Sequence, residues 1–231
     1  MKAWSVATLR NNVVFVGGCA AGLLLTDSAT GGHPRHQGCR CRRRACDSSS
    51  VRRAGESRLP ALGFVRDPDS DVICRWRHAA TGVLFDLMPI DPAILGFFNR
   101  WYPEAARTAT REKLNDRVEI RRIAAPAFIA TKLDAFVSRG RSDFLSSHDL
   151  EDVLTVVDGR PSIVDELRTA SDELRQFVRE TVGALLSERT VRRIQDRTVT
   201  SEPRFEDYLP GLLADSSRTN IALDRLKSLA A

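Results

Sequence analysis

The sequence predicts an α+β protein with a mixed α/β half followed by a helical half. Two alternating strands flank a turn within residues 72–89, and residues 118–126 form a further strand that stops at a proline. Over residues 127–140 the apolar residues recur at helical spacing. We therefore expect an α/β core over residues 1–125 and a helical part over residues 126–231.

The first half divides into short elements. Residues 11–26 predict a helix, in which Gly17 and Gly18 indicate a close approach of the backbone to another group. Residues 59–67 predict a helix end at Gly63 with a strand after it. The hairpin follows these elements, and the next strand completes the α/β core.

The second half predicts three or four further helices. Residues 146–159 form a helix that begins after Ser146 or Ser147 as N-cap and ends at a glycine. Residues 160–187 continue as one or two amphipathic helices, and a last helix lies around residues 220–229. These elements account for the expected helical C-terminal part.

Residues 31–58, GGHPRHQGCRCRRRACDSSSVRRAGESR, differ from the rest of the chain. They hold eight arginines and two acidic residues and contribute +6 to a net charge of +5, so the remainder sums to −1. The basic charge therefore belongs to one segment and does not describe a nucleic-acid-binding fold. Because residues 28–58 lack periodicity, we expect them to be irregular or disordered and the hairpin 72–89 to lack a neighbouring strand.

Two binding functions are open for this segment. His33, His36, Cys39, Cys41 and Cys46 could bind zinc, although the Cys-x-Cys-x₄-Cys spacing is not that of ordinary zinc sites. The arginine cluster could bind nucleic acid, although no aromatic residue lies between the arginines to stack on bases. A nucleic-acid-binding protein that uses the arginine- and cysteine-rich segment is thus one alternative function.

The cysteines and the apolar run predict a cytoplasmic protein with no membrane partner. The chain has five cysteines, an odd number, and three are clustered, which is not the pattern of a secreted disulfide framework. The apolar run over residues 13–25 is too short to span a bilayer. The apolar stretch before Cys19 is also too short for a lipoprotein signal.

Four charged residues stand in unusual places. Asp86 lies in the middle of a strand, where a carboxylate is costly unless it is exposed or binds a cation. Lys132 lies on a mostly apolar helix, and Asp149 and Asp152 lie in the first turn of the following one. Each also has a simple alternative: an exposed hairpin position, a surface lysine, and acids that favour the helix dipole.

Several fragments in this order resemble the AbiEii-type nucleotidyltransferase toxin family: VFVGGCAAGLLLTD, CRWR, FDLMPIDPAILGFFNRWYPEA, APAFIATKLDAF and RGRSDFLSSHDLEDVLTVVDGRP. The resemblance covers nearly the whole chain except residues 28–58. It implies a polymerase-beta-like nucleotidyltransferase fold, a small mixed sheet flanked by helices and followed by a helical part. It also implies Mg²⁺-dependent transfer of a nucleotide from an NTP to an RNA or protein acceptor, and a cognate antitoxin partner in a bacterial toxin–antitoxin system.

The resemblance also implies site residues. Gly17 and Gly18 match the glycine pair whose backbone approaches the triphosphate. Asp86 matches a catalytic carboxylate that binds the metal ion. Lys132 matches the lysine near the phosphates, with catalytic and nucleotide-binding roles. Asp149, with Asp152 nearby, matches the Asp-x-x-Asp of the following helix, and Asp149 would support the metal or the lysine.

One part of the family pattern is missing. The family carries an Asp-x-Asp pair, its principal metal ligands, on a strand after the first helix, and residues 28–58 contain no such pair. Codons can be chosen for residues 37–45 so that the same DNA, read one nucleotide later, encodes Lys-Asp-Val-Asp-Val-Val-Val-Glu. This peptide contains the missing Asp-x-Asp pair. Our hypothesis is that residues from about 31 to 56 are a compensated double frameshift.

The functional prediction follows from this loss. We expect an AbiEii-like nucleotidyltransferase that is impaired or inactive with the sequence it has, because two charged metal ligands are gone. The alternative is a catalytically inactive binding protein of the same fold, which keeps a binding role for an NTP, RNA or an antitoxin.

Overall fold

The computed structural model describes residues 13–30, 43–47, 59–70, 74–89, 99–138, 144, 146–187 and 204–231, with the backbone alone for 30, 43–47 and 89. These residues fall into two compact units. The described residues of the first unit lie within 1–23 and 34–131, and those of the second unit lie within 24–33 and 132–231.

The first unit contains a mixed β-sheet. Its described strands are β1 (Val13–Val16), β2 (Arg43–Asp47), β3 (Phe64–Arg66), β4 (Arg75–His78), β5 (Leu84–Pro89), β6 (Thr110–Asn115) and β7 (Val118–Arg122). Their order across the sheet is β3-β4-β5-β2-β1-β7-β6. The pairs β1–β7 and β2–β5 are parallel and the other pairs antiparallel, so the sheet is mixed.

Strand β1 corrects the helix predicted over residues 11–26. Its sequence VVFV is rich in β-branched residues, which favour the extended backbone of a central strand. Gly17 then turns the chain at φ 91°, a value that favours glycine and excludes a continuous helix. Helical structure begins only afterwards, with a 3₁₀ turn at Gly18–Ala20 and a short helix α1 (Ala21–Leu24).

Strand β2 lies in the segment that was expected to be irregular. Its backbone pairs with β1 and with β5, so the hairpin has the neighbour that we expected it to lack. Backbone hydrogen bonds form a ladder whatever the side chains are, which is why a stretch without periodicity completes the sheet. The rest of the segment, 31–42 and 48–58, lies outside the described residues, as do the side chains of the zinc and nucleic-acid predictions.

The hairpin and the strand before it are confirmed. Strands β4 and β5 are antiparallel, and Gly82 lies in their turn at φ 68°. The 3₁₀ turn Pro60–Leu62 ends at Gly63, where φ is 82°, and β3 follows. Both glycines therefore occupy the left-handed region, as the turn signals indicated.

One buried cluster of the first unit lies on one face of this sheet. The cluster comprises Val13, Leu59, Trp76, Phe85 and Leu87, with Phe15 and Phe64 packed against it. Alternate residues of a strand point to opposite faces, so Val13 and Phe15 share a face on β1, as Phe85 and Leu87 do on β5. Helix α2 (Tyr102–Arg107) contacts β1 and β2.

Helices make up most of the second unit. The chain enters it along α3 (Ala125–Ser138), and the later helices are α4 (His148–Gly159), α5 (Ile163–Arg168), α6 (Asp172–Ser187), α7 (Phe205–Leu212) and α8 (Thr219–Ala230). The Ser147 hydroxyl accepts the Leu150 N–H at 3.3 Å, which confirms the serine cap. Helix α7 was not predicted, because Pro210 in its sequence favours a loop.

The described residues confirm the α+β class. The polymerase-beta-like arrangement stays a prediction. Among the described helices, none has the length and apolar character that crossing a membrane requires.

Candidate functional site

Six charged residues in the described part of the chain are buried, with between 2% and 8% of the residue surface exposed: Arg75, Asp86, Lys132, Asp149, Asp152 and Asp158. Four of them were singled out in the sequence, namely Asp86, Lys132, Asp149 and Asp152. The surface alternatives for Asp86 and Lys132 are therefore wrong. Burying a charge costs free energy unless it is paired and hydrogen-bonded, so each of these residues needs an explanation.

In the first unit, Asp86 forms an ion pair with Arg75. The two residues are direct partners across the antiparallel strands β4 and β5. Arg75 Nε donates to Asp86 Oδ1 at 2.8 Å, and Nη2 donates to Oδ2 at 3.1 Å. The hydrogen bonds to Asp86 raise the pKa of Arg75, so the guanidinium group keeps its positive charge beside the carboxylate.

The Gly17–Gly18 turn lies near the same level of the sheet as Asp86. One row across the strands runs from Val16 to Arg44, then to Asp86 and Arg75. Gly17 directly follows Val16. Two strand spacings separate Val16 from Asp86, which corresponds to roughly 10 Å.

The turn itself is held by its own backbone. The Gly17 carbonyl accepts the Ala20 N–H at 2.9 Å, and Gly17 has φ 91° and ψ 178°. A side chain at residue 17 would strain this conformation. The nucleotide-binding role of Gly17 and Gly18 stays a prediction, since the turn alone has no ligand chemistry.

In the second unit, the structure brings Lys132, Asp149 and Asp152 together. Lys132 Nζ lies 3.0 Å from Asp149 Oδ1 and 2.5 Å from Asp152 Oδ2. The two aspartates are three residues apart on α4, and this spacing places them on one face of the helix. Lys132 reaches them from α3. One ammonium group therefore lies between two buried carboxylates.

The start of α4 favours these acids. Asp149 is in the first turn, where the helix dipole stabilises negative charge. His148 and Glu151 pair on the exposed side, with Nδ1 2.9 Å from Oε2. The hydrogen bond to Glu151 raises the pKa of His148 above its ordinary value.

This unit contains a second buried ion pair, which was not predicted from the sequence. Arg218 donates from Nε to both carboxylate oxygens of Asp158, at 2.8 and 2.9 Å, and from Nη2 to Asp27 Oδ2 at 2.7 Å. Asp158 lies in the last turn of α4, where the helix dipole disfavours negative charge. An acid at a helix C-terminus was the signal that could have indicated a buried cationic partner.

Backbone contacts extend this cluster. The N–H groups of Thr26 and Asp27 both donate to the Gly159 carbonyl. Arg160 Nη1 donates to the Leu24 carbonyl at 2.7 Å, and Arg225 Nη1 donates to the Val157 carbonyl at 2.9 Å. The segment after α1 is thereby fixed to the C-terminal end of α4.

The described residues do not fit the expected magnesium ion. Within the part of the chain that the structure describes, no group of three or more His, Cys, Asp or Glu side chains could hold a metal. Asp86 directs both oxygens at Arg75, and Asp149 and Asp152 pair with Lys132. Magnesium requires several oxygen ligands around one point, so its binding by Asp86 stays a prediction without support here.

No protein-family model matches the chain, and no curated protein matches it. The resemblance to the nucleotidyltransferase family therefore stays a prediction from the sequence fragments.

Proposed function

We propose that the protein is an AbiEii-type nucleotidyltransferase by descent which, with the sequence it has, binds an NTP but transfers its nucleotide poorly. One observation carries the proposal. The resemblance names Asp86, Lys132, Asp149 and Asp152, and these are four of the six buried charged residues in the described chain. Buried charges are costly to a fold and are concentrated at functional sites.

The chemistry of the second unit's cluster is consistent with phosphate binding. Lys132 is held between two carboxylates, which fixes the position of its ammonium group. An ammonium in a buried position interacts strongly with a phosphate because little water screens it. In the proposal, Lys132 binds phosphate oxygens of the NTP, and Asp149 and Asp152 orient the lysine. RNA or a protein as acceptor, and an antitoxin as partner, are parts of the same proposal.

Poor transfer is expected because the chain lacks carboxylates that the metal ion needs. Metal-assisted transfer needs several carboxylate oxygens to hold Mg²⁺ and stabilise the developing charge. Residues 28–58 supply no Asp-x-Asp pair, and Asp86 is hydrogen-bonded to Arg75 through both oxygens. We expect the transfer rate to be lower by several orders of magnitude than in a chain with the full set.

The test compares two chains. One is the protein with its own sequence, and the other has residues 37–44 replaced by Lys-Asp-Val-Asp-Val-Val-Val-Glu. Each is incubated with Mg²⁺ and NTPs labelled at the α-phosphate, and label on RNA or protein is measured. NTP binding is measured separately by calorimetry, and folding by circular dichroism.

The proposal predicts NTP binding by both chains and transfer by the restored chain alone, with transfer abolished by Asp86→Asn. Absence of NTP binding in both folded chains would contradict it. Sequencing the coding DNA across codons 28–60 tests the frameshift hypothesis independently, since an intact Asp-x-Asp frame is either present there or not.

A further inference from the structure

We infer that Arg75 is the built-in counter-cation of Asp86, so that this carboxylate is neutralised by the protein itself and takes no divalent metal ion. The inference deepens the proposed function and rests on it only in treating Asp86 as the family's catalytic carboxylate. It gives a role to Arg75, which the resemblance does not assign.

The geometry of the pair is that of a two-point contact. Nε and Nη2 of Arg75 donate to different oxygens of Asp86, at 2.8 and 3.1 Å. Such paired, charge-assisted hydrogen bonds fix the carboxylate in orientation as well as in position. The two residues are also direct neighbours in the β4–β5 ladder, so both backbones hold the pair.

The guanidinium group is fixed by a third contact. Its Nη1 donates to the Ser70 hydroxyl at 3.0 Å. All three nitrogens of Arg75 therefore have acceptors, and the side chain is 8% exposed. Arg75 cannot lose its proton at ordinary pH, so its positive charge next to Asp86 is permanent.

This permanent charge disfavours a metal ion at Asp86. A divalent cation on either carboxylate oxygen would lie close to the guanidinium, and with little screening water the repulsion between the two cations is strong. Only further carboxylates could offset it. The partner of Asp86 on its other side is Arg44, and the described residues provide no group of ligands. Arg75 is thus a positioning residue for Asp86.

The direct test is a metal titration of the full chain. Mn²⁺ binding is followed by electron paramagnetic resonance, and the unfolding midpoint is measured with EDTA and with millimolar Mg²⁺. The inference predicts the same midpoint in both buffers and the same Mn²⁺ isotherm for the parent chain and for Asp86→Asn. One Mn²⁺ bound per chain in the parent and lost in Asp86→Asn would overturn it.

A mutant cycle tests the pairing itself. Arg75→Met and Asp86→Leu should each lower the unfolding midpoint, while the double variant should lose less than the sum of the two. Arg75→Lys should restore part of what Arg75→Met loses. Additive losses would contradict the inference. The matched control is Arg111→Met on β6, since its pair with Glu119 is exposed on both sides, at 65% and 38%, and the protein should tolerate the change.

Failure of the inference can be told apart from failure of the proposed function. Mn²⁺ binding that depends on Asp86 would sink the inference while strengthening the nucleotidyltransferase proposal. Coupled Arg75 and Asp86 variants, without metal binding, support the inference even if calorimetry finds no NTP binding. Should Arg75→Met not fold, the metal titration of the parent chain still decides.

Discussion

Arg218 Nε lies 2.8 and 2.9 Å from the two carboxylate oxygens of Asp158, a residue sixty positions earlier in the chain. The same guanidinium reaches Asp27 Oδ2 at 2.7 Å. The hydrogen bonds to Asp158 and Asp27 raise the pKa of Arg218. Within the second unit, this one side chain therefore joins the turn before α8, the end of α4 and the segment after α1.

Removal of this guanidinium should destabilise the second unit. Arg218→Met leaves the carboxylate of Asp158 buried at the end of α4 without its cation, and breaking a buried pair in this way costs about 3–5 kcal/mol. Urea unfolding followed by circular dichroism measures the loss.

A surface pair provides the control. Arg168 and Asp165 are 70% and 78% exposed, with 2.7 Å between Nη1 and Oδ1. Such exposed pairs contribute at most about 1 kcal/mol, so Arg168→Met should change the free energy of unfolding little. Equal losses in the two variants would show that the burial of Asp158 has no energetic consequence.

Lys132→Met should be more harmful than the loss of either acid that Lys132 contacts. It removes the ammonium group that pairs with two buried negative charges, those of Asp149 and Asp152, and a loss of about 3–5 kcal/mol is expected. Asp152→Asn removes one of these charges and leaves Lys132 paired with Asp149, so its effect should be smaller. Unfolding in urea ranks the variants.

The control for this ranking is Lys227→Met, a change on the exposed side of α8. It should leave the free energy of unfolding nearly unchanged. If Asp152→Asn proved more destabilising than Lys132→Met, the charge arrangement inferred for the cluster would be wrong. NTP binding by calorimetry on the same variants tests the proposed role of Lys132 directly.

The elements that the sequence predicted are those with local signals. The hairpin has strand alternation and Gly82 in its turn, and α4 has Ser147 at its start and Gly159 at its end. Strand β1 was mistaken for a helix, because four apolar residues are too few to distinguish the two periods. Strand β2 could not be predicted, since its partners are supplied by β1 and β5 rather than by its own pattern.

In the candidate site, too, only the residues with a local sequence signal could be predicted. Asp86 and Lys132 could be identified, because a charge among apolar residues is visible in the sequence. The partner of Asp86, Arg75, lies on another strand, and Arg218 lies sixty residues from Asp158. Such pairings depend on register and on tertiary packing, which no local pattern encodes.

Two glycines should respond in opposite ways to alanine. A Cβ on Gly159 would lie 2.5 Å from Leu25 Cδ2, so Gly159→Ala should destabilise the protein by about 1–3 kcal/mol through overpacking. A Cβ on Gly183, inside α6, would meet only Ala230 Cβ at 4.0 Å. There, Gly183→Ala should stabilise by about 0.5–1 kcal/mol, because alanine loses less backbone entropy in a helix.

The thermal unfolding midpoints of the two glycine variants show whether each variant is stabilised or destabilised. A stable Gly159→Ala protein would mean that Leu25 moves aside freely and that the segment after α1 is not fixed to the end of α4. A destabilised Gly183→Ala protein would instead contradict the spacing between α6 and α8.

His148 should give the protein a pH-dependent increment of stability. Its hydrogen bond to Glu151 raises the pKa of His148 in the folded state above the ordinary value of about 6.5. The folded state therefore holds the proton more tightly than the unfolded chain. The increment is fully present below about pH 6.5 and is lost as the pH rises through the raised folded pKa.

In the folded protein, an NMR titration of the His148 ring should give a higher pKa in the parent than in Glu151→Gln, which keeps the shape of the partner and removes its charge. Unfolding midpoints for the parent and for His148→Ala should differ more at about pH 5.5 than at about pH 8.5. An unchanged His148 pKa in Glu151→Gln would show that this pair does not hold in solution.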